Sequence, residues 1–242
     1  VKSHIWMGII FVDLGGNAGP FEERIRGVLE RWQEFHPAGN YQALEADADS
    51  GNWEQELACN WKLAVENYCE AYHLPWIHPA LNSYSKLDDH YNIVDQSFSG
   101  QGSTAYRLSE FEGYKLPKIP DWPAERIENA EYISLYPNVL LGLQADHAFA
   151  MLLLPQGPEK TQERLRLFYM PGVVGDSSTT AARTAVLNAW QEVFTEDIGV
   201  VEAMQRGRHS PGFDGGKFSP AMDPPTHAFH RWVAAALEAR GA

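Results

Sequence analysis

The alternation of apolar and polar positions divides the chain into a short N-terminal strand, a helical middle and a C-terminal half of strands followed by helices. His4-Ile5-Trp6-Met7-Gly8-Ile9-Ile10-Phe11-Val12 reads as a buried strand, closed by Gly15-Gly16-Asn17. No strand precedes it, so part of its sheet is expected to lie before Val1. Residues 20–34 have helical spacing, with Phe21, Ile25, Val28, Leu29 and Trp32 on the apolar face. A polar stretch, Glu45 to Gly51, separates this helix from a second one, predicted from Asn60 to His73. Asn60 suits an N-cap, and Pro75 is expected to end the helix by pushing Leu74 towards extended backbone. Residues 80–130 are irregular, with a loop at 115–120. Strands are predicted at Tyr132–Tyr136, Val139–Leu143, Phe149–Leu154 and Arg164–Tyr169, the last two forming an antiparallel hairpin through Gln156–Lys160. A long helix at about 179–206 takes its N-cap from Ser177–Thr180 and stops at Gly207. Its apolar face is Val186, Trp190, Val193, Phe194, Ile198 and Val201, and a last helix covers about 226–240. The class is α+β: an antiparallel sheet wrapped with helices.

Composition narrows the function. With 242 residues, 44% apolar and 21% charged, the chain can bury a core and is not disordered. A net charge of −13 leaves no basic stripe for nucleic acid. No run of about 18 apolar residues predicts a membrane span. Cys59 and Cys69 are too few for a multi-disulfide framework and by themselves cannot hold an iron–sulfur cluster or a structural zinc.

Candidate chemistry concentrates in Asn60-Trp61-Lys62 through His78-Pro79. His73 and His78 lie five apart, which on an unbroken helix would separate them by about 140°. Pro75 can bend the chain and bring them together as ligands for iron, copper, nickel or zinc. Taken alone, the pair reads as well as two satisfied structural histidines.

The wider string N-W-K-x6-N-Y-x-E-x-Y-H-x4-H-P resembles the mononuclear-iron motif of the Rieske non-haem iron oxygenases, α subunit. Glu196-Asp197 through Gly207 resembles that family's E-D-x-x-x-x-E-x-x-Q-x-G segment. Tyr136–Leu141, Leu154–Pro158 and Phe229–Trp232 resemble further parts of its catalytic domain, and His4–Asp13 the end of its Rieske domain. Residues 1–18 are therefore expected to be the tail of an otherwise absent Rieske domain, and 19–242 the catalytic domain of helix-grip (START-like) fold.

The resemblance implies iron(II) on His73, His78 and Asp197, with Glu196 as the fallback carboxylate. It gives Glu70 the role of linking this iron to a neighbouring subunit's Rieske cluster, and places Asn67 near the iron. Many family members acting on quaternary ammonium compounds have Glu where ring-hydroxylating members have Asp. Tyr72 is expected to pack or to support a ligand, and Cys69 to be a buried free thiol. The cluster ligands C-x-H and C-x-x-H are absent, so the [2Fe-2S] centre is expected on residues before Val1. Asp223-Pro224-Pro225 departs from the acid that usually precedes the terminal motif.

The implied activity is hydroxylation or oxidative demethylation of a small aromatic or methylammonium-type compound. It would use O₂ and electrons from NADH, delivered by a reductase with or without a ferredoxin, in a cytoplasmic homotrimer. Two other readings stand beside it: a metal-free helix-grip carrier of an apolar small molecule, and a zinc hydrolase using the same ligands.

Overall fold

The computed structural model describes residues 1–35, 39 and 43–241. The first apolar run is two strands rather than one: β1 (Lys2–Trp6) and β2 (Ile9–Asp13) pair antiparallel, Ile5 opposite Ile10. Met7 and Gly8 both have positive φ, 48° and 69°, which a two-residue hairpin turn of this hand requires. The strand thus finds its partner locally. One face carries Trp6 onto Trp32, with ring centroids 6.1 Å apart, while Ile5, Ile10 and Val12 stay exposed. The 4–12 run is therefore only half buried. Trp32 closes α1 (Phe21–Trp32), which buries Ile25 and Val28 and carries Glu22 and Glu23 in its first turn.

The main sheet has eight antiparallel strands. β3 (Glu45–Ala46) and β4 (Asn52–Leu57) both border β10 (Lys160–Tyr169), and the order continues through β9 (Ala148–Gly157), β8 (Val139–Leu143), β7 (Ala130–Leu135), β6 (Phe98–Ser103) and β5 (His90–Val94). The polar 45–51 segment comprises β3 and the turn to β4, where Asp47 accepts the Ser50 amide at 3.0 Å and pairs with Arg183. β8 lies inside the sheet with both faces covered, so it reads V-L-L-G-L with every residue buried. Leu140 faces one apolar cluster; Val139, Leu141 and Leu143 face the other.

The second cluster lies under the hairpin and α1. The first lies under α2 (Trp61–Cys69), α6 (Thr180–Arg208) and α7 (Pro224–Gly241). Between α2 and β5 run the short helices α3 (Leu74–Ile77) and α4 (Pro79–Tyr84); α5 (Leu108–Phe111) follows β6.

Three boundaries differ from expectation. The predicted 60–73 helix stops at Cys69, and Pro75 sits in the first turn of α3, where its missing N–H costs nothing. Proline therefore starts a helix here instead of ending one. α6 runs through Gly207 to Arg208, and the 3₁₀ turn before it is capped by Asp176, whose side chain accepts the Ser178 amide. The irregular 80–130 region contains β5 and β6, both in the main sheet. Among the described residues, no helix is long and apolar enough to cross a membrane.

Candidate metal centre

Asn60 Oδ1 accepts the Lys62 amide at 3.1 Å and starts α2, which carries Asn67 into the interior. The helix breaks at Glu70, whose backbone is extended at φ −123° and ψ 159°. Glu70 Oε2 accepts the Tyr72 amide at 2.7 Å, and its Oε1 contacts His73 Nδ1. Glu70 and His73, three apart in sequence, thus meet across a helix break. A capping carboxylate makes the contact, not a shared helix face.

α3 is a single turn, with the His78 amide bonded to Leu74 O at 2.9 Å. It carries the chain from His73 to His78 and leaves the two rings 5.0 Å apart at 74°. α6 brings Asp197 to both: Oδ1 is 3.0 Å from His78 Nε2 and 3.8 Å from His73 Nε2. One ligand atom from each of His73, His78 and Asp197 lies within 4.8 Å of the others.

The outer nitrogens are engaged as well. His78 Nδ1 lies 2.7 Å from Glu196 Oε2, and His73 Nδ1 meets Glu70. An ionised carboxylate only accepts, so each Nδ1 carries the hydrogen and each Nε2 turns towards Asp197. Glu196, the fallback carboxylate, thus lies behind His78 at its Nδ1, whereas Asp197 groups with the two histidines. Asp197 Oδ1 is buried and has no well-aligned hydrogen bond. A buried carboxylate oxygen unpaired between two imidazole nitrogens fits a divalent cation. Burial opposes a charge on His78, but Asp197 and Glu196 outweigh it and hold its pKa above the ordinary histidine value.

The cluster opens onto a cavity of about 410 Å³, counted out to its mouth. Asn67, Tyr68, His90, Gln101, Tyr132, Trp190 and Phe194 line it with the three candidate ligands. Phe149 and Trp190 pack at 4.5 Å behind this wall, and His147 Nε2 accepts the Trp190 indole N–H at 3.0 Å.

The family model described as the ring hydroxylating alpha subunit (catalytic domain) matches residues 44–239. The chain belongs to this family of Rieske oxygenase α subunits. Arabidopsis thaliana choline monooxygenase, chloroplastic, is 27% identical over 179 residues, covering 73% of this chain and 39% of the relative. The carnitine monooxygenase oxygenase subunit of Acinetobacter baumannii is 24% identical over 219 residues, covering 89% and 54%. A solved quaternary ammonium Rieske monooxygenase shares the fold at TM-score 0.74 and 19% identity, covering 98% of this chain and 61% of that one. The chain thus spans roughly half the length of these relatives.

For this Rieske oxygenase catalytic domain, two parts of the site lay beyond the motif. His90 and Gln101 come from β5 and β6: His90 Nδ1 lies 2.6 Å from Gln101 Oε1, and Gln101 Nε2 donates to Glu70 O at 2.9 Å. Gln101 thereby braces the helix break that presents His73. Burial keeps the His90 pKa low, so the ring is an uncharged part of the wall. Tyr72, expected to pack, is 45% exposed; its backbone amide, not its ring, serves the site. Cys69 is a buried thiol 3.5 Å from Ser99 Oγ, its pKa pushed up to about 12 by burial.

Proposed function

We propose that His73, His78 and Asp197 hold a mononuclear iron(II) and that the whole protein is an O₂-dependent oxygenase supplied with electrons from NADH. The observation that carries this reading is the convergence of two Nε2 atoms and one unpaired carboxylate oxygen, each imidazole tied behind by its own carboxylate. Three protein ligands on one side leave positions for O₂ and water, and iron(II) bound there supplies reductive activation of O₂. Glu70 and Glu196 fix the imidazole orientations and strengthen them as donors. Asn67 borders the reacting position. Tyr132, Trp190 and Phe194 exclude water and hold the substrate.

The substrate is a small methylammonium-type compound, with an aromatic ring as the alternative. Similarity to choline and carnitine monooxygenases and a glutamate at position 70 support the first. The indole and phenol faces in the cavity suit a cation held by cation–π attraction. Attack on an N-methyl carbon ends in demethylation, and attack on another carbon in hydroxylation. The [2Fe-2S] cluster belongs to a domain of which residues 1–18 are the end, residues 19–242 being the catalytic domain. Glu70 links the two metal sites between subunits of a homotrimer, with a reductase, and a ferredoxin where needed, as electron source.

Substrate-dependent O₂ uptake by the full-length oxygenase with reductase and NADH tests this. Uptake with choline, carnitine or a related amine is expected, with formaldehyde released where a methyl group is lost. Turnover without O₂ or reductant would contradict it and indicate a hydrolase.

A further inference from the structure

On the other side of Asp197 from the histidine pair lies a second, narrow cavity of about 290 Å³, counted out to its mouth. Asn67, Tyr68, Phe194 and Asp197 line both cavities and form the partition between them. The far wall carries Gln55 from β4 and Glu163 from β10, cross-strand neighbours in the sheet. Glu163 is 4% exposed, and no cation pairs with it among the described residues. Gln55 Nε2 donates to Glu163 Oε2 at 2.5 Å and to Phe194 O at 3.0 Å. These two acceptors fix the amide orientation and leave Gln55 Oε1 buried without a donor. The wall is partly apolar, with Leu57, Leu140 and Val201, but the unpaired acceptor and the two carboxylates suit a few waters, each needing two to four polar partners. Gln55 Oε1, Glu163 and Asp197 offer them.

We infer that Glu163 is a proton-holding group that serves the metal centre through water in this second cavity, past Asn67. The inference rests on the iron reading above. Hydroxylation with loss of water, R–H + O₂ + 2e⁻ + 2H⁺ → R–OH + H₂O, consumes two protons for each O₂, as does addition of both oxygens to a ring. The reductase supplies the electrons. The substrate side offers phenols, amides and the uncharged His90 but no carboxyl group besides Asp197, so an acidic proton source must come from the other side. Glu163 gives the two protons in turn along the water, regaining one from solvent past the partly exposed Gln55 after each transfer.

The surroundings suit the role. Burial, opposed by the Gln55 hydrogen bond and reinforced by the charge of Asp197, pushes the Glu163 pKa up to about 7. The other titratable groups facing it are the Cys59 thiol, on the connection from β4 to α2, and the Tyr68 phenol from α2. Burial keeps both neutral at that pH. The side chain of Arg164, next along β10, pairs with Glu54.

The test uses the intact oxygenase, wild type and Glu163→Gln. Infrared titration of the wild type is expected to show a protonated-carboxyl C=O band with a midpoint near 7, absent from the variant. Turnover of Glu163→Gln should fall by ~10²-fold, with iron content unchanged and the pH dependence near 7 flattened. Glu163→Asp, which keeps a carboxyl group, should recover part of the loss. An iron-loaded Glu163→Gln enzyme with wild-type turnover and pH profile, or a wild type lacking the band, would overturn the inference. A wild type that takes up no iron would instead sink the metal reading, and this inference with it.

Discussion

His73 and His78 are each held from behind, at Nδ1, by a carboxylate. Glu70 grips His73 and the Tyr72 amide together, and Glu196 grips His78. Glu196→Ala should therefore weaken iron binding by ~10- to 100-fold, measured by competition with a chelator, although Glu196 is not one of the three proposed ligands. Glu70→Gln keeps a hydrogen-bond acceptor for His73. It is expected to retain iron in the full-length enzyme and to lose NADH-coupled turnover; near-normal turnover would refute the linking role. Glu163 gives a prediction of opposite sign to the usual carboxylate. Its folded-state pKa of about 7 lies above the ordinary carboxyl value of 4.5, so its protonated form favours the fold. Stability is full below about 4.5 and falls as pH rises to 7. The isosteric Glu163→Gln should match the wild type at pH 4.5 and exceed it by ~3 kcal/mol at pH 8, read from denaturant midpoints of the metal-free protein. The meeting of His73, His78 and Asp197 was legible because the wider strings around them resemble a family's motifs; the five-residue histidine spacing alone was not enough. Glu163 was not legible, because in R-L-R-L-F-Y and the residues before it an inward acid looks like any polar position of an alternating strand.

The elements differ in how plainly the sequence states them. β8, β9 and α6 were readable because burial on one or two faces dictates their apolar periods. β6 was not: Phe-Ser-Gly-Gln-Gly-Ser has no apolar alternation, yet every residue is buried. Its polar side chains pair internally, as Ser103 with Ser85 and Gln101 with Glu70, and its glycines admit neighbours closely. A Cβ at Gly100 would stand 1.9 Å from the Tyr132 carbonyl oxygen of β7. Gly100→Ala should cost ~3 kcal/mol or more and visibly lower Tm, because backbone rather than a flexible side chain must yield. The break between α2 and α3 was misread for a related reason. Helical period runs on through Glu70 to His73 in sequence, but a buried carboxylate competing for the Tyr72 amide ends the helix first.

At the scale of the molecule, the sheet separates two apolar clusters: one holds the hairpin and α1, the other packs under α2, α6 and α7, with the candidate ligands His73 and His78 at the two ends of α3 and Asp197 on α6. This arrangement was legible as α+β with a long late helix, whereas the pairing of β1 with β2 needed the turn geometry at Met7 and Gly8. The central claim is that three residues from separate elements make one iron site. Anaerobic iron(II) loading, followed by metal analysis of the protein and of its His73→Ala, His78→Ala and Asp197→Ala variants, tests it most directly. One iron per chain in the wild type and near zero in each variant is the predicted result. A wild type without iron, or an Asp197→Ala variant as fully loaded as the wild type, would contradict it.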